Sequence, residues 1–155
     1  MNCDSIKQID LISALVPRGV MPNLRILLVE DDGMISMLMT MMLEEMGFTV
    51  CATACSEAAA IREAERTLPD LIVTDVNLEE GSGTAAIATI CRRRPTPHVF
   101  VSADADGARG MNPNALVLEK PFHYADLERA IGHAMHVPPQ PAAAARVVAA
   151  RPTPL

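Results

Sequence analysis

Four short apolar runs, each giving way to polar or charged residues, constrain this chain more than any other feature. The runs are Ile26–Val29, Leu71–Thr74, Val99–Val101 and Leu116–Leu118; the residues that follow are Glu30-Asp31-Asp32, Asp75, Ser102 and, one position on, Lys120-Pro121. Runs this short and this rich in Leu, Ile and Val are what strands buried on both faces of a parallel sheet look like. In an open α/β sheet the ligand crevice lies beyond the carboxyl ends of the strands, so the four signals converge on one edge. Acids, a hydroxyl and a lysine gathered there suit a divalent cation and a phosphoryl group.

The 155 residues fit one domain, and 50% hydrophobic content is ample for a core. With three Phe, one Tyr and no Trp, aliphatic side chains and ten Met must fill it. A net charge of -6 argues against nucleic acid as a partner, since phosphates need a basic stripe. No apolar stretch is long enough to span a bilayer, and residues 1–24 lack the layout of a secretory signal. Cys3, Cys51, Cys55 and Cys91 show neither zinc-like spacing nor a secreted framework, so they read as buried or half-buried thiols of a reducing compartment. The expectation is a cytoplasmic protein.

A strand–helix alternation begins at Arg25. The reading places strands at Arg25–Glu30, Thr49–Thr53, Leu71–Asp75, His98–Ser102 and Ala115–Glu119. Helices are expected over Gly33–Met46, stopped by Gly47; over Glu57–Thr67, capped by Ser56; over Gly83–Arg93, capped by Ser82; and over Tyr124–His136. Ala103–Asn114 holds two Gly, a Pro, two Asn and two Asp, a composition that leaves room for only a short or mobile helix. Five strands alternating with helices imply a doubly wound parallel sheet with right-handed crossovers. Residues 25–136 therefore form one domain, between an irregular extension at 1–24 and a tail at 137–155 with five Pro. Within the extension Ile6–Val16 suits a short helix, Leu15–Gly19 resembles a protease recognition sequence, and Met21 is an alternative start.

Residues 25–136 resemble the receiver domain of two-component response regulators. The matching pieces are Ile26-Leu-Leu-Val-Glu30-Asp31-Asp32, Asp70-Leu-Ile-Val-Thr-Asp75-Val-Asn77-Leu, Gly83, Val99-Phe-Val-Ser102-Ala103 and Leu118-Glu-Lys120-Pro121-Phe122, in order across the whole domain. The resemblance implies a five-stranded α/β sheet of order 2-1-3-4-5, with Asp75 as the phosphoacceptor. It implies Mg²⁺ (or Mn²⁺) held by Asp31 and Asp75 directly, by Glu30 through a water and by the Asn77 carbonyl. Asp32, one position past the ligand pair, reads as a helix cap. Lys120 and Ser102 would supply positive charge and a hydroxyl to the phosphoryl oxygens, and the Lys120-Pro121 bond is expected to be cis. The donor implied is a phosphohistidine on a sensor histidine kinase or histidine phosphotransfer protein.

Several positions depart from the family pattern. Val117 stands where an aromatic residue often works with the Ser102 position as a switch. Glu79 replaces a usual proline, which predicts a more mobile loop. The span from Ser102 to Lys120 is short, which suggests an order–disorder switch over residues 103–114 when Ser102 is drawn to the phosphoryl group. Asn77 and Asp104 occupy positions that tune loss of the phosphoryl group, suggesting a short-lived signal. Met34, Met37 and Met41 form a stripe on the first helix that either docks a kinase or phosphotransfer hairpin or widens the buried face. Ile35, Leu38, Met39, Met42 and Met46 are assigned to the core. His133 and His136 share a helix face without a third ligand and read as a solvated helix end. Arg92, Arg93 and Arg94 suit a helix C-terminus.

The function expected is that of a stand-alone response regulator, not an enzyme beyond its own phosphorylation and dephosphorylation, with output through protein–protein contacts. A phosphorelay intermediate or phosphate sink is the alternative within this class. A phosphorylation-independent adaptor would be expected to have lost site residues, and none is missing. A phosphatase of the haloacid dehalogenase type needs an acid two positions after its nucleophile, where this chain has Asn77.

Overall fold

The structure, a computed structural model, describes residues 23–111 and 115–136. The expectations for 1–22, for 112–114 and for the tail beyond 136 lie outside the described residues. Five strands, β1 Arg25–Val29, β2 Thr49–Ala54, β3 Leu71–Asp75, β4 His98–Ser102 and β5 Val117–Glu119, form one parallel sheet of order β2-β1-β3-β4-β5. Five helices alternate with them: α1 Gly33–Glu45, α2 Glu57–Thr67, α3 Gly83–Arg93, α4 Ala105–Met111 and α5 Tyr124–His136.

The short apolar runs are explained by what covers each face. Leu27, Val29, Ile72, Phe100 and Val117 point to the side of α2, α3 and α4 and pack on Ala60, Ala64, Ile87, Ile90 and Ala108. Ile26, Leu28, Val73, Val99, Val101 and Leu118 point to the other side and pack on Met39, Leu43, Leu127 and Ile131 of α1 and α5. Side chains alternate across a strand, so a strand covered on both sides has no polar positions to spare. Removing from water an aliphatic side chain of this size contributes about 1.5–3 kcal/mol. The three central strands thus anchor everything their carboxyl ends carry.

The helix boundaries follow from capping. Ser56 Oγ accepts the Ala59 N–H at 3.2 Å, Ser82 Oγ accepts the Ala85 N–H at 3.4 Å, and Gly47 takes φ 88 just beyond α1. Arg92 and Arg93 lie in the last turn of α3, and Arg94 donates from Nη1 to the Pro69 carbonyl at 3.0 Å. Arg93 also pairs with Glu65 of α2. In the last turn of α5, His136 Nδ1 lies 2.6 Å from the Gly132 carbonyl, so the ring closes on its own helix.

Four expectations need correction. Leu38 is not in the core but 58% exposed, beside Met34, Met37 and Met41 at 79%, 62% and 61%. The first helix is apolar nearly all round, so periodicity alone could not say which side faces the sheet. Cys55 is exposed, because it lies in the turn between β2 and α2, whereas Cys51 is half-buried and Cys91 buried. β2 runs one residue further than expected, to Ala54, and β5 starts at Val117 rather than Ala115.

Candidate functional site

The strand order puts the ends of β1, β3, β4 and β5 side by side. Glu30 and Asp31 follow β1, Asp75 ends β3, Ser102 ends β4, and Lys120 follows β5. One carboxylate oxygen from each of Glu30, Asp31 and Asp75 lies within 4.8 Å of the other two, the one such acidic group among the described residues. Lys120 reaches two of these acids. Its Nζ donates to Asp75 Oδ2 at 2.7 Å and to Glu30 Oε2 at 3.2 Å. The Lys120-Pro121 peptide is cis, as the resemblance implied.

The charges in this group act on one another. Burial pushes the Glu30 carboxyl up from its ordinary value, against the Asp32 N–H and Lys120, which favour its anion. Asp31 is held below the ordinary carboxylate range, chiefly by the Glu79 N–H, which donates to its Oδ2 at 2.8 Å. Burial works against the Lys120 ammonium, but its hydrogen bond to Asp75 and the charges of Asp75 and Glu30 outweigh that and raise it. Asp32 faces away from this arrangement. Its Oδ1 accepts the N–H groups of Met34 and Ile35 at 2.8 and 3.0 Å, so it caps α1.

Asp75 is fixed from several sides. Its Oδ1 accepts the Asn77 N–H at 3.0 Å and its carbonyl accepts the Thr74 hydroxyl at 3.0 Å. Gly83, at the start of α3, leaves the space that this backbone needs. A Cβ there would lie 1.8 Å from the Asp75 carbonyl oxygen and 2.6 Å from Thr74 Oγ1. The glycine is required by this close approach and not by its dihedral angles.

Ser102 is buried one position beyond Val101, the residue paired in register with Asp75. Its carbonyl accepts the Lys120 N–H at 2.8 Å, so β4 positions the lysine backbone directly. Its hydroxyl is turned to α4: Ser102 Oγ accepts the Asp104 N–H at 3.1 Å, and Asp104 Oδ1 accepts the Gly107 N–H at 2.9 Å. Val117 is not part of the cluster. It is buried one layer down, paired with Phe100. Two contributors escaped the sequence reading. The Glu79 amide acts through its backbone, and Glu57, described below, acts on that loop from α2; no side-chain motif announces either.

Fold and site together define a doubly wound α/β protein with an acid-and-lysine pocket at its topological switch point. The sequence profile of the response regulator receiver domain matches residues 26–132, and the chain belongs to that family. Transcriptional regulatory protein PdtaR from Mycobacterium tuberculosis is 33% identical over 122 residues, covering 76% of this chain and 57% of that protein. A protein-glutamate methylesterase/protein-glutamine glutaminase from Archaeoglobus fulgidus is 34% identical over 87 residues, covering 56% of this chain and 25% of that protein. The chain thus spans about a quarter of the length of the first such relatives, and the match lies in the receiver portion.

Solved structures agree on the fold. A response regulator receiver protein from Sinorhizobium medicae has a TM-score of 0.66 at 28% identity, covering 73% of this chain and 94% of that one. The receiver domain of Erythrobacter litoralis PhyR has a TM-score of 0.69 at 24% identity, covering 77% and 98%. Among the described residues, no helix is long and apolar enough to cross a membrane.

Proposed function

We propose that this chain is a phosphorylation-controlled regulator that accepts a phosphoryl group on Asp75. The observation that supports this best is the setting of Asp75, with the acids Glu30 and Asp31 gathered beside it and the Lys120 ammonium 2.7 Å from its Oδ2. In the transfer, a carboxylate oxygen of Asp75 attacks phosphorus and forms the O–P bond. The N–P bond of a phosphohistidine donor breaks, and its electron pair returns to the imidazole nitrogen. Lys120 is already at the acceptor and meets the charge that gathers on the phosphoryl oxygens. Ser102 would donate its hydroxyl hydrogen to one of those oxygens, leaving the Asp104 N–H that it now accepts.

The family implies a magnesium ion, and the residues fit one: the donor set is entirely carboxylate oxygen, gathered within 4.8 Å, which is the hard-donor chemistry this ion takes. Asp31 and Asp75 would hold it directly, with Glu30 through a water and the Asn77 carbonyl. When bound, it would offset repulsion among the acids and charge on the phosphoryl oxygens. Asn77 and Asp104 are the residues we assign to tuning the lifetime of the aspartyl-phosphate. Output then passes through α4, whose N-terminal capping depends on Asp104 and, behind it, Ser102; Val117 replaces an aromatic relay with a static core contact.

The phosphodonor is a sensor histidine kinase or histidine phosphotransfer protein that docks on the exposed Met34, Met37 and Met41 of α1. That stripe begins one turn from the acids, and Met side chains adapt to a helical partner. We place the protein in the cytoplasm, where such donors act. Incubation with acetyl phosphate and Mg²⁺ should add one phosphoryl group to the wild type by intact mass and none to Asp75→Asn; labelling of Asp75→Asn at the wild-type level would refute the reading. Met37→Glu with Met41→Glu should slow transfer from a phosphorylated histidine donor and leave labelling by acetyl phosphate unchanged.

A further inference from the structure

The loop between β3 and α3 is gripped on two sides. Toward the acids, the Asn77 N–H donates to Asp75 Oδ1 at 3.0 Å and the Glu79 N–H to Asp31 Oδ2 at 2.8 Å. On the other side stands Glu57, the first residue of α2. Its N–H donates to the Glu80 carbonyl at 3.0 Å, and its Oε2 accepts the Ser82 N–H at 2.9 Å. Between these two bonds Gly81 takes φ 88, and a Cβ on it would lie 2.4 Å from both Cβ and Oε2 of Glu57. The Glu57 side chain therefore lies directly over the glycine. An isolated antiparallel bridge between Asn77 and Ser82 makes the loop a closed unit, so a constraint at its far end reaches the near end.

A glutamate at a helix N-terminus ordinarily needs no partner, because the helix dipole already favours it. Here α2 is capped by Ser56, and both the main chain and the side chain of Glu57 are committed to another segment. We propose that Glu57, acting through the Asn77–Ser82 loop, is a positioning residue for the cation site, holding the Glu79 amide on Asp31. Partners that orient a ligating carboxylate typically contribute 10–100-fold to metal affinity. The inference rests on the reading of Glu30, Asp31 and Asp75 as that site.

The test uses the full chain and Mn²⁺ alone, with the free ion followed by electron paramagnetic resonance and thermal midpoints taken without metal. The variants are Asp31→Asn, Glu57→Ala, Glu57→Gln, Glu79→Ala and Glu79→Pro. Wild type should bind and Asp31→Asn should lose binding. Glu57→Ala, which removes the acceptor, and Glu79→Pro, which removes the donor N–H, should each weaken Mn²⁺ about tenfold. Glu57→Gln keeps an acceptor oxygen and Glu79→Ala keeps the amide, so both should stay within about twofold of wild type. Wild-type affinity in Glu57→Ala or in Glu79→Pro overturns the inference. Glu57→Gln as weak as Glu57→Ala also overturns it, because that result marks a charge effect. Should Glu57→Ala fail to fold, Glu57→Met, which lacks the acceptor oxygen but keeps the bulk over Gly81, takes its place, and wild-type affinity in it overturns the inference. A wild type that ignores Mn²⁺, or an Asp31→Asn that binds it equally, sinks the reading of the site itself and the inference with it.

Discussion

Lys120 Nζ lies within hydrogen-bond reach of both Asp75 and Glu30, at 2.7 and 3.2 Å, so two carboxylates share one ammonium. Glu30 is nearly buried and Lys120 only partly exposed, which makes this pair more consequential than a surface bridge. Lys120→Met leaves the two acids facing each other. It should lower stability by about 1–3 kcal/mol, between the values for a surface pair and for a fully buried one, because the lysine retains some water. Urea unfolding of the two proteins measures this, and acetyl-phosphate labelling of the variant should fall at least tenfold.

Gly83 is predicted to tolerate no side chain. Gly83→Ala drives a methyl group into the Asp75 carbonyl, which lies 1.8 Å from the ideal Cβ position. The start of α3 or the end of β3 must shift. Overpacking of this kind costs about 1–3 kcal/mol. Because the backbone that moves carries Asp75, labelling should drop further than the stability loss explains.

Capping of α4 should decide its mobility. Asp104 holds the Gly107 N–H at 2.9 Å, and the Asp104 N–H is in turn held by Ser102. Asp104→Ala removes a cap worth ~1 kcal/mol, enough to matter in a helix of seven residues. Amide exchange over residues 105–111 should accelerate. In the wild type, beryllofluoride with Mg²⁺ should change exchange over the same residues; identical exchange with and without it would rule out α4 as the output element.

His98 sets a pH dependence. Burial holds its imidazole below the ordinary 6.5, against the Thr96 carbonyl 2.9 Å from Nδ1, which favours the charged ring. The unfolded chain takes up a proton near the ordinary value, the folded chain only at lower pH. Stability is therefore fully present above about pH 6.5 and is lost as pH falls toward the folded value. His98→Phe keeps the edge-on packing against Phe100 and removes the titration. The loss of stability between pH 7.5 and 5.5 should be smaller in the variant, read as the shift of the thermal midpoint.

Thiol reactivity should separate two of the cysteines. Cys55 is exposed, whereas burial both covers Cys91 and pushes its thiol up, so less thiolate is present to react. Iodoacetamide should label Cys55 in the folded protein, and Cys91 only in denaturant, as mapped by peptide mass.

Where burial on two faces left a strand few polar positions, its limits could be read directly, as for Leu71–Asp75 and His98–Ser102. Helices announced by a hydroxyl cap, such as those after Ser56 and Ser82, were equally legible. Around Ala105–Met111 composition pointed to a helix that could only be short, as Gly107 and Gly110 argue, and the seven residues found there are seated by the Asp104 carboxylate, which composition does not show. The side of α1 occupied by Leu38 was ambiguous because Met and Leu are equally apolar on every face. Asp31 and Lys120 could be proposed from their places after the strands, since side-chain chemistry is visible in a sequence. The amide that holds Asp31 could not, because every residue except proline carries one.

Glu30 and Lys120 touch across 90 residues of chain, and their meeting waits on the last strand of the sheet. A nascent polypeptide that has produced Asp75 but not yet β5 holds three acids without their counter-cation. The cluster of acids and ammonium is therefore completed late in synthesis and all at once. Fragments that stop short of residue 120 lack the ammonium that the finished protein places against Asp75 and Glu30.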